Sequence, residues 1–116
     1  MRSAKVAYYS ARPDRAVTHS SLTKLRVHQT VKLLIYATFR GIVSSEQVVL
    51  GFRVTKGGAT TFFKRVPTTV TSGSDNRLLG FWTYYQPTQT GKFSYSGTLH
   101  VGGKHQHKTV FFSVTH

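Results

Sequence analysis

Cysteine is absent from this 116-residue chain, which excludes disulfides, thiolate metal sites and cysteine nucleophiles. Carboxylates are nearly absent as well, since Asp14, Glu46 and Asp75 are the only acidic residues and turns or linkers separate them. A glycosidase-like carboxylate pair or an oxygen-rich cation site is hard to build from so few. No apolar run approaches the ~20 residues of a membrane-spanning helix. The first twenty residues carry Arg2, Lys5, Arg12 and Arg15 and no apolar stretch long enough for a signal peptide. If the protein is exported, its leader lies outside this chain and Met1 opens an excised domain. No window shows a capped 3.6-residue apolar stripe, so helix content near zero is expected. Phosphate-cradling glycine loops are missing too: Lys56-Gly57-Gly58 and Gly102-Gly103-Lys104 read as hairpin turns with no helix behind them. Nothing marks a serine as an activated nucleophile. The chain is read as non-catalytic, and no cofactor is expected.

What the chain has in quantity is positive charge and aromatic rings. Sixteen Lys and Arg against three acids give a formal net charge of +13, and a field of that size attracts polyanions or anionic surfaces whatever the fold. The cations run from Arg2 to Lys108 with no cluster longer than Lys64-Arg65, so they decorate a surface rather than form a tail. Hydrophobic residues make up 39% of the chain and aromatics 13%, which is too rich in core formers for a disordered segment. At this length one domain buries about two-thirds of the surface its unfolded chain exposes. A single core is expected.

Apolar residues alternate with period two, which sets one face of each strand against a core and the other in water. Residues 1–20 are basic and polar, broken by Pro13, and read as a basic linker or a loosely attached first strand; residues 21–116 form the domain. Leu25 and Val27 share a parity that Val31, Leu33, Ile35, Ala37 and Phe39 continue as one long half-buried strand. Val48, Leu50, Phe52 and Val54 define the next. Lys56-Gly57-Gly58-Ala59 then turns the chain into a strand from Thr60 to Val66, where Pro67 stops ladder pairing. A Gly-Gly register pairs Phe52 with Phe63 but Leu50 with Arg65, a mismatch that marks the second strand as an edge or as bulged. After polar residues 68–76, Leu79, Phe81 and Tyr85 share one face of a strand, and Leu78, Trp82 and Tyr84 the other.

The last hairpin carries its own register. Gly102-Gly103 supplies the positive φ values of a two-residue type I′ turn, so Val101 faces Lys104. Tyr95 then faces Val110 and Phe93 faces Phe112 on one side, while Ser96 meets Thr109 and His100 meets His105 on the other. Apolar meets apolar and polar meets polar, a match that a one-residue slip inverts. About seven strands with turn signals every eight to twelve residues or so predict an all-β fold: a single antiparallel sandwich, with a small β-barrel as the alternative.

The segment Gln86-Pro87-Thr88-Gln89-Thr90-Gly91-Lys92-Phe93-Ser94-Tyr95 is similar to the P-x-x-x-G-x-[FY]-x-[FY] approach to the penultimate strand of immunoglobulin-like modules in bacterial surface and secreted proteins. Phe112-Ser113-Val114 resembles their F-x-V last strand. The resemblance spans roughly residues 22–115. It implies an immunoglobulin-like β-sandwich, extracellular or at a cell surface, working in spacing, adhesion or the binding of a protein, glycan or anionic polymer.

Three sets of residues are candidates for a site. Arg53, Lys64, Arg65, Arg77, Lys92, Lys104 and Lys108 form the polyanion-binding set. Most of them lie beside aromatics, a pattern that also suits a nucleic-acid-binding barrel whose rings stack on bases. Trp82 and Tyr84, on the face opposite Leu79 and Phe81, form the candidate aromatic platform. The hairpin register gathers His100, His105 and His107 on one outer face, with His100 across from His105 and diagonal to His107, within reach of a shared Zn²⁺ or Cu²⁺. Protonated in acid, the same three imidazoles strengthen polyanion binding.

Overall fold

Period-two alternation over most of the chain produces strands and little else. A computed structural model describes residues 3–8, 24–39, 42, 44–74, 77–101 and 104–116; of the expected basic linker or loosely attached first strand over residues 1–20 it describes 3–8 alone, which form a strand, and the rest of that segment and the Gly102-Gly103 turn lie outside the described residues. Eight strands follow in order: β1 (Ser3–Tyr8), β2 (Lys24–Arg26), β3 (Val31–Thr38), β4 (Ser45–Lys56), β5 (Ala59–Thr71), β6 (Leu78–Tyr85), β7 (Gly91–Val101) and β8 (Lys104–Thr115). Among the described residues the helical content is one 3₁₀ turn, Ser72–Ser74, and no helix is long and apolar enough to cross a membrane. The strands form a three-strand sheet, β1-β3-β6, and a five-strand sheet, β2-β8-β7-β4-β5.

Most residues that alternation assigns inward are buried, and the central strand β3 buries Lys32 and Leu34 on its other face as well. Val31, Leu33, Ile35 and Ala37 of β3 face Val48, Leu50, Phe52 and Val54 of β4 and Phe93, Tyr95 and Leu99 of β7 in one apolar cluster shared by both sheets. Each fully buried side chain of this size contributes about 1.5–3 kcal/mol. Aromatic edges tie the layers together: Phe62 meets Tyr85 at 5.2 Å between centroids, Tyr85 meets Phe112 at 6.3 Å, and Phe112 stacks on Phe93 at 5.5 Å. The Tyr95 hydroxyl donates to the Leu34 carbonyl at 3.0 Å, a polar bond across the interior. Burial raises the Tyr95 pKa above the usual tyrosine value and does the same for Tyr85, where the hydrogen bond with Thr61 opposes it.

The terminal hairpin has the register read from its turn: Phe93 pairs with Phe112, Tyr95 with Val110 and His100 with His105. Elsewhere the ladder departs from expectation at three places. First, the long strand expected from Leu25 to Phe39 is two strands in different sheets. Between them His28 holds φ at 69°, and its N–H donates to the Pro87 carbonyl while Gln86 Nε2 donates to the His28 carbonyl, both at 2.8 Å. These bonds to a distant loop offset the cost of a positive φ at a non-glycine residue. The break lets β2 run parallel to β8, so the sheet is mixed rather than purely antiparallel.

Second, the β4–β5 register shifts between Val54 and Thr55, so Phe52 faces Lys64, Arg53 faces Phe63 and Leu50 faces Val66. Phe52 with Phe63 and Leu50 with Arg65 are therefore not partners. The extra residue of the bulge restores apolar pairing for Leu50. Third, β5 continues through Pro67, opposite Val49, to Thr71. It is an edge strand, and the missing N–H of proline is tolerated on an edge.

Candidate functional site

The face of the five-strand sheet turned away from the core has a different chemistry from its buried side. Three rungs cross β5, β4, β7 and β8 in turn: Pro67, Val49, His100 and His105; Arg65, Gly51, Thr98 and His107; Phe63, Arg53, Ser96 and Thr109. A groove of about 680 Å³ opens over them. Its floor is low because Gly51 has no side chain and Ser96 and Thr98 beside it are small. Arg53, Phe63 and Arg65 rise on the β5 side, and His100 and His107 on the other.

Two contacts organise this face. The Arg53 guanidinium lies over the Phe63 ring at 4.9 Å. Stacking uses the flat face of the guanidinium and leaves its in-plane N–H donors for an acceptor. Ser96 Oγ and Thr109 Oγ1 share a hydrogen bond at 2.8 Å, and Thr55 and Ser94 share another one rung further on. Among the described residues no acidic side chain lines the groove. Glu46 has the parity of Val48 and Leu50 in β4, which is the other face of the sheet.

The seven basic candidates do not form one patch. Arg53 and Arg65 meet in the groove. Lys92, exposed and paired with Ser113, has the parity of Ser94 and Ser96 and lies on the same face beyond the groove. Lys64 faces Phe52 and Lys108 faces Gly97, so both belong to the opposite face, exposed where the smaller sheet does not cover them. Arg77 is exposed just ahead of β6, in the other sheet. Lys104 pairs with Val101, and its side chain lies outside the described residues.

The histidines sit where the hairpin register puts them. His100 and His105 are 5.6 Å apart between ring centroids, His107 pairs with Thr98, and all three are exposed. Among the described residues no group of three His, Cys, Asp or Glu side chains is placed to hold a metal ion. Two of the three imidazoles instead line the basic groove.

Trp82 and Tyr84 occupy the outer surface of the three-strand sheet, 52% and 46% exposed, away from the groove. Lys32, buried in the central strand β3, sets its Nζ 4.8 Å from the Trp82 ring centre. Charge and exposed aromatics thus occur on both outer surfaces. Gly51, Ser96, Thr98 and the exposed rings of Phe63 and Phe111 complete the groove face and were not singled out by sequence pattern. The alternation of β4, β5, β7 and β8 contains each of them, but only the pairing of the non-consecutive strands β4 and β7 brings them onto one surface.

Comparison with known protein families, with curated proteins and with solved structures found no match.

Proposed function

We propose that this chain is a non-catalytic β-sandwich module that holds an anionic polymer across the outer face of its five-strand sheet. The observation that carries the reading is Arg53 and Arg65 standing beside the low floor of Gly51, Ser96 and Thr98, with no carboxylate lining the groove among the described residues. A net charge of +13 draws such a polymer to the surface. The groove then gives it a place to lie.

The strand order supports an immunoglobulin-like reading of the sandwich. In that architecture strands A, B and E share one sheet and G, F, C and C′ the other. The order β1-β3-β6 fits the first set and β8-β7-β4-β5 the second, with β2 added beside the last strand. Work at a bacterial cell surface or in a secreted protein belongs to the same proposal.

Titration with labelled heparin and labelled DNA at rising salt tests it. Each phosphate neutralised adds about 0.7–0.9 to the slope of log affinity against log salt. The Arg53→Ala/Arg65→Ala variant is expected to bind at least tenfold more weakly with a shallower slope. Unchanged affinity in that variant overturns the reading.

A further inference from the structure

We propose that the polymer is a single-stranded nucleic acid, with its phosphates on Arg53 and Arg65 and unpaired bases stacked on Phe63 and Phe111. The inference rests on the polyanion reading above and narrows it to one ligand class. Cationic side chains alone suit any acidic polymer, so the discriminating feature must be uncharged. It is the pair of exposed phenyl rings on the groove face.

Phe63 is 51% exposed and Phe111 75% exposed. Exposed rings on the same sheet surface as two arginines offer flat apolar faces that sulfated or carboxylated glycans have no aromatic group to match. Nucleobases do match them, and base–aromatic stacking is tolerant of sequence because every base has a π-face. In a duplex those faces are already stacked on neighbouring base pairs. Only an unpaired strand can present them.

Spacing agrees with this occupant. Phe63 shares a rung with Thr109 through Arg53 and Ser96, and Phe111 is two residues further along β8. Three strand spacings and one two-residue step place the rings roughly 16 Å apart along the sheet. A flexible strand of a few nucleotides covers that distance, passing over the hydroxyls of Ser96 and Ser94. Those hydroxyls both donate and accept, as base edges and sugars require. Arg53, stacked on Phe63, stands beside the first ring, so a base and its phosphate are met by neighbouring side chains.

The test compares four labelled probes by fluorescence anisotropy at fixed salt: a twelve-nucleotide oligothymidine, an abasic strand with the same number of phosphates, a duplex, and heparin. Oligothymidine is expected to bind about tenfold or more tightly than the abasic strand, the size of one base–aromatic stack. Phe63→Leu keeps an apolar cover beneath Arg53 but removes the π-face, and is expected to collapse most of that difference while leaving abasic binding unchanged. Phe63→Trp is expected to keep or enlarge it, and circular dichroism checks that each variant is folded. Equal binding of oligothymidine and the abasic strand, or tightest binding of duplex or heparin, overturns the nucleic-acid assignment and leaves the polyanion reading standing. Loss of dependence on Arg53 and Arg65 overturns both.

Discussion

The Tyr95 hydroxyl donates to the Leu34 carbonyl at 3.0 Å, with Tyr95 wholly buried and Leu34 nearly so. One side chain of the five-strand sheet thereby reaches the backbone of the three-strand sheet and fixes how the two layers meet. A bond of this kind contributes about 0.5–1.5 kcal/mol net. Tyr95→Phe is expected to lower the unfolding free energy by that amount, read as a lower urea midpoint with an unchanged denaturant slope.

The same residue makes the fold sensitive to alkali. Burial raises the Tyr95 pKa above that of an unfolded tyrosine, so the folded state keeps a proton that the unfolded state releases. The stabilisation is complete below the ordinary tyrosine value of about 10 and declines above it by about 1.4 kcal/mol per pH unit. Tyr85 and Tyr36, raised for the same reason, add to the decline. Urea midpoints at pH 8 and pH 11 are expected to differ more in the native chain than in Tyr95→Phe. A pH dependence identical in both proteins contradicts this account.

Gly91 opens β7 with φ at 132°, where a side chain is strained whatever the space around it. An added Cβ also comes within 2.9 Å of Lys56 Cε, the side chain whose Nζ donates to the Thr90 carbonyl. Gly91→Ala is expected to cost about 1–3 kcal/mol. Truncating Lys56 in the same chain does not restore that loss if backbone strain is its main source, which thermal melts of the single and double variants determine.

Gly51 behaves in the opposite way. Its φ is ordinary for a strand, and an added Cβ meets Thr98 Cβ at 3.5 Å, a normal contact. Gly51→Ala is therefore expected to leave stability unchanged or raise it by up to about 1 kcal/mol. It also raises the groove floor between Arg65 and Thr98, so polymer affinity is expected to fall while the melting temperature does not.

Legibility in the sequence followed the range of the forces involved. The terminal hairpin was legible because its strands adjoin in the chain: a two-residue connection between Val101 and Lys104 sets the register, and Phe93 with Phe112 and His100 with His105 follow. The break after Arg26 was not, because the positive φ of His28 is held by Pro87 and Gln86, which follow it by more than fifty residues. The Leu50 and Arg65 mismatch announced an irregular strand without locating the bulge between Val54 and Thr55. In the site, period-two alternation already separates Lys64 from Arg65, a signal that grouping by charge overrode. The hydroxyls of β7 joined Arg53 only through the β4–β7 pairing, a contact between strands that are not consecutive in the chain.

Lys64 and Arg65 are adjacent cations, both exposed, on opposite faces of one strand. Formal charge changes equally when either is removed, so their comparison isolates the face from the field. The measurement is the salt dependence of oligonucleotide affinity for the native chain, Lys64→Ala and Arg65→Ala. The expected result is a weaker affinity and a slope shallower by about 1 for Arg65→Ala, with Lys64→Ala close to native. Equal losses in the two variants would contradict a polymer held in the groove and assign the binding to the net charge alone.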